Sequence, residues 1–149
     1  MAAVKRDEAA AEPLIATYPV SVARPRLSPL LDEVQEGRAV VIERRGFKAL
    51  VTSLDAEEKL LARCYGFNPE VHVAGSGSVG IWLPELTLHA QGATLEEAED
   101  DLVDAVTDYV ADWHSLLRNT PNHADRHGWV QRIMLAADHE RIKSLLFPS

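Results

Sequence analysis

The chain holds one cysteine, Cys64, which excludes an intrachain disulfide and leaves too few thiols for a cysteine-built zinc site. No apolar run approaches the roughly eighteen residues needed to span a bilayer, so no membrane partner is expected. The opening residues 1–13 are Ala-rich and charged, with no apolar signal segment; they read as a flexible tail on a cytoplasmic protein. Lys and Arg are missing from 49–58 and from 64–117. Also missing is a Ser, His and Asp set that would announce a nucleophile. The chain is therefore expected not to be an enzyme, and to need neither cofactor nor metal.

What fills the long cation-free stretch is a helix pattern over 94–117. Leu95, Ala98, Leu102, Ala105, Val106, Tyr109, Trp113, Leu116 and Leu117 recur every three or four positions and stack along one stripe. Thr94 followed by Glu97 is a capping-box signature, and Glu96, Glu97, Glu99, Asp100 and Asp101 crowd the end where the helix dipole favours negative charge. With Asp104, Asp108 and Asp112, the outward face becomes an acidic ribbon about 36 Å long at 1.5 Å per residue. Carboxylates on such a ribbon lack the pocket and convergent partners that acid–base or Mg²⁺ chemistry needs.

The net charge of -8 is unevenly placed. Residues 1–68 hold ten Lys or Arg and ten Asp or Glu; residues 69–149 hold five and thirteen, so the second half carries the whole excess. A locally basic element in the first half suits nucleic acid, and an acidic second half suits a basic protein.

In chain order, 14–22 alternates loosely as a first strand, and Ser28 with Pro29 reads as the cap and first position of a short helix ending at Gly37. Pro25 limits that helix backward. Runs at 39–43 and 49–52 form a hairpin whose tip carries Arg44, Arg45 and Lys48, with Gly46 available for positive φ. Asp55 with Glu58 caps a second helix, which ends at Gly66. The pattern restarts after Asn68 and Pro69, which places one domain over 14–68 and another over 69–149. The second contains strands at 71–74, 79–83 and 86–90, the long helix, a fourth strand at 129–135, and a short helix capped by Asp138.

Two motif-like signals are weak. Gly75, Gly77 and Gly80 spell G-x-G-x-x-G, but Ile81, Trp82, Leu83 and Pro84 continue as a strand, whereas a dinucleotide site needs a helix there. His123, Asp125 and His127 have a ligand-like spacing, but Pro121, Asn122 and Gly128 mark a loop without fixed ligand geometry.

Residues 18–63, with Leu27, Leu30, Leu31 and Val34 followed by EGRAVVIERRG, resemble the N-terminal domain of the Phd/YefM (prevent-host-death) antitoxins. That resemblance implies a dimer that binds an operator in its own promoter. By the same resemblance the DNA contacts fall on Arg24 and Arg26 at the start of the first helix, with Arg44 and Arg45 at the hairpin as further candidates. GIWLPELTLHAQGATLEEAEDDLVDAV resembles a HicB-like domain through Pro84, Glu85, Leu86, Gly92, Thr94, Glu96, Glu97 and Ala98, although that family's Pro-Gly-Cys turn is missing. It implies a degenerate ribonuclease-H-like fold that grips a toxin, here expected through Asp104, Asp108 and Asp112.

The expected fold class is therefore α+β: a β-α-β-β-α dimerisation and DNA-binding module followed by a β-β-β-α-β toxin-binding module. The expected protein is the antitoxin of a type II toxin-antitoxin system. Its expected partners are operator DNA, a basic cognate toxin expected to act on RNA, and copies of itself in a homodimer or higher even oligomer. The competing reading is a stand-alone transcriptional regulator whose C-terminal domain binds a small molecule or oligomerises.

Overall fold

The computed structural model describes residues 13–149, so the tail expected over 1–13 lies, Pro13 apart, outside the described residues. Contacts divide the chain into two compact units, one ending at Glu57 and one covering Glu58–Ser149. Each contains a three-stranded sheet, and the mixture is α+β.

In the first unit β1 (Ala16–Pro19) leads directly into α1 (Val20–Ala23), a 3₁₀ turn (Arg24–Arg26) and α2 (Leu27–Gln35). The hairpin of β2 (Val40–Arg44) and β3 (Phe47–Val51) follows. β1 pairs parallel with β2, which pairs antiparallel with β3. The strand expected over 14–22 stops at Pro19, and helical backbone begins at Val20. Ser28 and Pro29 lie inside α2 instead of starting it. Pro29 is tolerated because the first-turn N–H groups of a helix have no intrahelical acceptor in any case, and Pro25 stands at the head of the 3₁₀ turn for the same reason. Ala23, Leu30, Val34 and Val40 are buried together, with Tyr18, Ile42 and Val51 packed around them.

Helix α3 (Leu54–Cys64) starts from Ser53, whose Oγ accepts from Ala56 N at 3.4 Å, so the cap is Ser53 and not Asp55. The contact division falls within this helix, whereas the change in sequence pattern comes later, at Asn68 and Pro69. Segment 65–67 is fixed within the second unit. There Arg132 Nη1 donates to Tyr65 O at 2.8 Å and Trp129 Nε1 to Gly66 O at 2.9 Å.

In the second unit β4 (Glu70–Val73), β5 (Val79–Leu83) and β6 (Leu88–Gly92) form an antiparallel sheet in that order. β6 begins two residues later than expected, because residues 84–87 make a turn closed by Thr87 N donating to Pro84 O at 3.3 Å. Helix α4 (Leu95–Ser115) crosses one face of this sheet. Ile81, Leu83, Leu86, Leu102 and Val106 are all 0% exposed in the shared core, each contributing about 1.5–3 kcal/mol. Glu97 N donates to Thr94 Oγ1 at 3.2 Å while Glu97 Oε2 accepts from Ala93 N at 2.9 Å, so the capping signature forms, displaced by one residue on the return bond. Leu95 and Leu116, expected on the buried stripe, are exposed, and Val103 is buried beside it.

Residues 129–135 are not a fourth strand. They belong to α5 (His127–Ala136), which is followed by α6 (His139–Leu146), capped by Asp138 accepting from Arg141 N at 2.9 Å. Trp, Val and Ile suggested β structure by composition. Trp129, Val130, Ile133 and Ala136 nevertheless recur at three and four, and they join the α4 core from a helix face. The expected β-β-β-α-β order of this unit is thereby corrected to β-β-β-α-α-α, setting aside short 3₁₀ turns.

Candidate functional site

The first unit places its arginines at one end of its sheet. The register sets Pro19 opposite Glu43, so the chain leaves β1 toward Arg24 at the end where β2 runs into Arg44. Ala23 is buried and anchors the 3₁₀ turn, while Arg24, Pro25 and Arg26 after it are exposed. At the hairpin tip Arg45 has φ 51° and Gly46 φ 80°, the primed-turn geometry that matches strand twist. A side chain in that left-handed region costs about 1–2 kcal/mol, so Arg45 is an expensive residue at a place where Gly or Asn is cheap. No hydrogen bond joins Arg24 or Arg26 to Arg44 or Arg45 among the described residues; what they share is the end of the sheet.

In the second unit Asp100, Asp104, Asp108 and Asp112 follow one another at four-residue spacing along α4 and form a ridge. Its first half is neutralised from within. Lys143 Nζ donates to Asp100 Oδ1 at 2.8 Å and lies 3.7 Å from Glu99; His139 lies 3.1 Å from Asp100 and 3.9 Å from Asp104. The Lys143 hydrogen bond, and after it that of His139, holds the Asp100 carboxyl below its ordinary range, and the same bond raises Lys143. Two further acids of α4 serve the sheet and the cap: Asp101 Oδ2 accepts from Gln91 N at 2.9 Å, and Glu97 from Ala93 N. Asp108 and Asp112 remain exposed, with no side-chain partner among the described residues. The expected ribbon is thus an open ridge only toward its C-terminal end. His139 and Lys143, four apart on α6, bring this neutralisation from a helix distant in sequence.

The sequence also left unread a polar cluster under the 117–126 loop. Arg126 Nη1 donates to Leu86 O at 2.9 Å, to Thr87 Oγ1 at 3.2 Å and to Tyr109 Oη at 3.2 Å. With its oxygen accepting from Arg126, the Tyr109 hydroxyl is left to donate to His123 Nδ1, 2.8 Å away. Trp113 Nε1 adds a bond to His123 O at 3.0 Å. His123 is thus built into the fold, and His127 lies against the Trp113 ring at 5.5 Å. Among the described residues, no three His, Cys, Asp or Glu side chains gather as a metal site. No helix there is long and apolar enough to cross a membrane.

These features define a class first: an α+β protein of two units that each carry a patch of exposed charge. The family model described as antitoxin of toxin-antitoxin, RelE / RelB, TA system, of PHD-like type, matches residues 14–147, and the chain belongs to that family. The crystal structure of an antitoxin from Syntrophomonas wolfei subsp. wolfei has a similar fold, with TM-score 0.70 and 18% sequence identity over 87% of this chain and 94% of that one. No curated protein matches the sequence. Membership implies a cognate toxin as partner.

Proposed function

We propose that the chain is a type II antitoxin with divided labour: a Phd/YefM-like first unit that dimerises and binds operator DNA, and a HicB-like second unit that neutralises the toxin by direct contact. The observation that carries this reading is the separation of charge within an antitoxin family member. Exposed Arg24, Arg26, Arg44 and Arg45 share one end of the first sheet, while the excess of negative charge lies in the second half.

Dimerisation is supported by the small first core. Ala23, Leu30, Val34 and Val40 are its buried members, whereas Leu27 and Leu31 are each 50% exposed, Phe47 70% and Leu50 61%. A unit of this size with such a core gains from burying those side chains against a second copy. Two-fold symmetry then doubles the arginines and matches a palindromic operator, repressing the operon. Asp108 and Asp112, with Asp104, give the toxin a negative ridge that speeds capture more than it tightens the complex.

The test is an operator titration by fluorescence anisotropy at several salt concentrations with Arg24→Ala plus Arg26→Ala. If each of the four arginines lost from a dimer neutralised one phosphate, the log–log salt slope falls by about 3.6. An unchanged slope and affinity removes these arginines from the interface. Asp104, Asp108 and Asp112 reversed to Lys slow toxin association; an untouched rate makes the ridge plain solvated surface.

A further inference from the structure

The face of the second sheet turned away from α4 is bare and built around a missing side chain. Glu70, Trp82 and His89 share one row of the register, and His72, Gly80 and Gln91 share the next. These residues alternate with Val79, Ile81 and Ala90, which are buried toward α4. Glu70, His72, His89 and Gln91 are exposed and Trp82 is half-buried. At Gly80 the surface sinks into a hollow of about 260 Å³, flanked by His72, His89 and Gln91. Beside it, β4 is an edge strand with every residue exposed, while the opposite edge at β6 is occupied by Asp101 on Gln91 N.

We infer that this hollow and the β4 edge receive an extended, arginine-bearing segment of the cognate toxin; the inference rests on the antitoxin reading. Charge and chemistry choose the occupant. No Lys or Arg lies between positions 64 and 117, so none of the three strands, nor α4, presents a cation to repel it. The groups at the hollow suit a guanidinium: the imidazole rings of His72 and His89, the Gln91 amide oxygen as an acceptor, and the Glu70 carboxylate 4.0 Å from His72. The half-buried Trp82 ring in the next row offers a stacking surface. The unpaired N–H and C=O groups of β4 accept an added strand, a recurring mode of peptide capture. Because α4 lies on the other face of the sheet, the segment that reaches the hollow is separate from whatever part of the toxin meets the ridge.

The test uses the full chain and the purified product of the adjacent reading frame, with affinity by isothermal titration and the mass of the free chain by light scattering. Gly80→Leu fills the hollow, and the position tolerates a side chain, because the one close neighbour of an added Cβ is the end of the His89 side chain, at 3.3 Å, with Ala90 O at an ordinary 3.9 Å. It is expected to weaken binding at least tenfold with the circular dichroism unchanged. His72→Lys plus Gln91→Lys places cations at two exposed positions without touching the core, and has the same expected effect, relieved by added salt. Toxin affinity equal to wild type in both variants overturns the inference while leaving the antitoxin reading standing. A Gly80→Leu chain that instead changes its own oligomeric mass and keeps its toxin affinity assigns the face to a second copy, which also overturns it. A wild-type chain that does not bind the toxin overturns the antitoxin reading, and this inference with it.

Discussion

Gly92 and Gly80 lie on the same sheet but leave unequal room for one added methyl group. At Gly92, where β6 ends under the first turn of α4, a Cβ stands 2.5 Å from Ala98 N, 2.7 Å from Glu97 Cβ and 2.8 Å from Glu97 C. Those atoms are helix backbone and its root, so relief requires α4 to move as a body. Overpacking of this kind costs about 1–3 kcal/mol. Displacing the turn also strains the bonds from Ala93 N to Glu97 Oε2 and from Glu97 N to Thr94 Oγ1, each contributing about 0.5–1.5 kcal/mol. Alanine restores about 0.4–1 kcal/mol by restricting the unfolded chain. Gly92→Ala is therefore expected to destabilise the second unit by about 2 kcal/mol, read as a lower urea midpoint at unchanged slope and a Tm drop of about 8–16 °C. Gly80→Ala, with a flexible side-chain end as its nearest neighbour, is expected to stay within about 0.5 kcal/mol of wild type. Equal midpoints for the two variants would refute the close approach of β6 and α4.

Tyr109→Phe removes the hydroxyl that accepts from Arg126 and donates to His123, and is expected to cost about 1–3 kcal/mol in urea unfolding. Gly128→Ala drives a Cβ into the Tyr65 ring, so the ring must leave its edge-on contact with Trp129, and indole emission should shift to the red. Asp100 has a lowered folded pKa, so its contribution is complete above the unfolded carboxylate value of about 3.9 and is lost as pH falls through the folded value. Lys143 has a raised folded pKa, so its share is complete below about 10.4 and is lost as pH rises through the folded value. Asp100→Asn should accordingly flatten the acid limb of stability against pH, measured by urea midpoints, and an unchanged limb would remove the Asp100–Lys143 bond from the account. Arg45→Gly relieves the positive φ at the hairpin tip and should stabilise the first unit by about 1 kcal/mol while weakening operator binding in the anisotropy titration.

Helix α4 was legible because local rules agree along it. Thr94 and Glu97 mark its start, and Ala98, Leu102, Val106, Tyr109 and Trp113 keep the spacing that buries one stripe. Its ends were less legible, since burial at Leu95 and Leu116 depends on what lies opposite them. The hairpin at Arg45 and Gly46 was readable from glycine and charge alone. Helix α5 is not legible locally, because Trp, Val and Ile favour strands as isolated residues, while the core of α4 selects the helical face of Val130 and Ile133. The start of α2 is hidden because Ser28 and Pro29 fit a cap locally, although helical backbone runs nearly unbroken from Val20. The state of the acidic ridge was not readable either: its neutralising partners lie at 139 and 143, and local patterns do not show which distant helix packs alongside. The Arg126 cluster likewise gathers positions 86, 87, 109 and 123 from separate elements.

The most direct test of the account is rescue of growth. The product of the adjacent reading frame is expressed from one inducible promoter and this full chain from another, in a host that carries neither. Growth arrest by the first, relieved by the second and lost again when Asp104, Asp108 and Asp112 are reversed together with Gly80→Leu, is the predicted result. Arrest that the wild-type chain leaves untouched, while both proteins accumulate in soluble form, would contradict it.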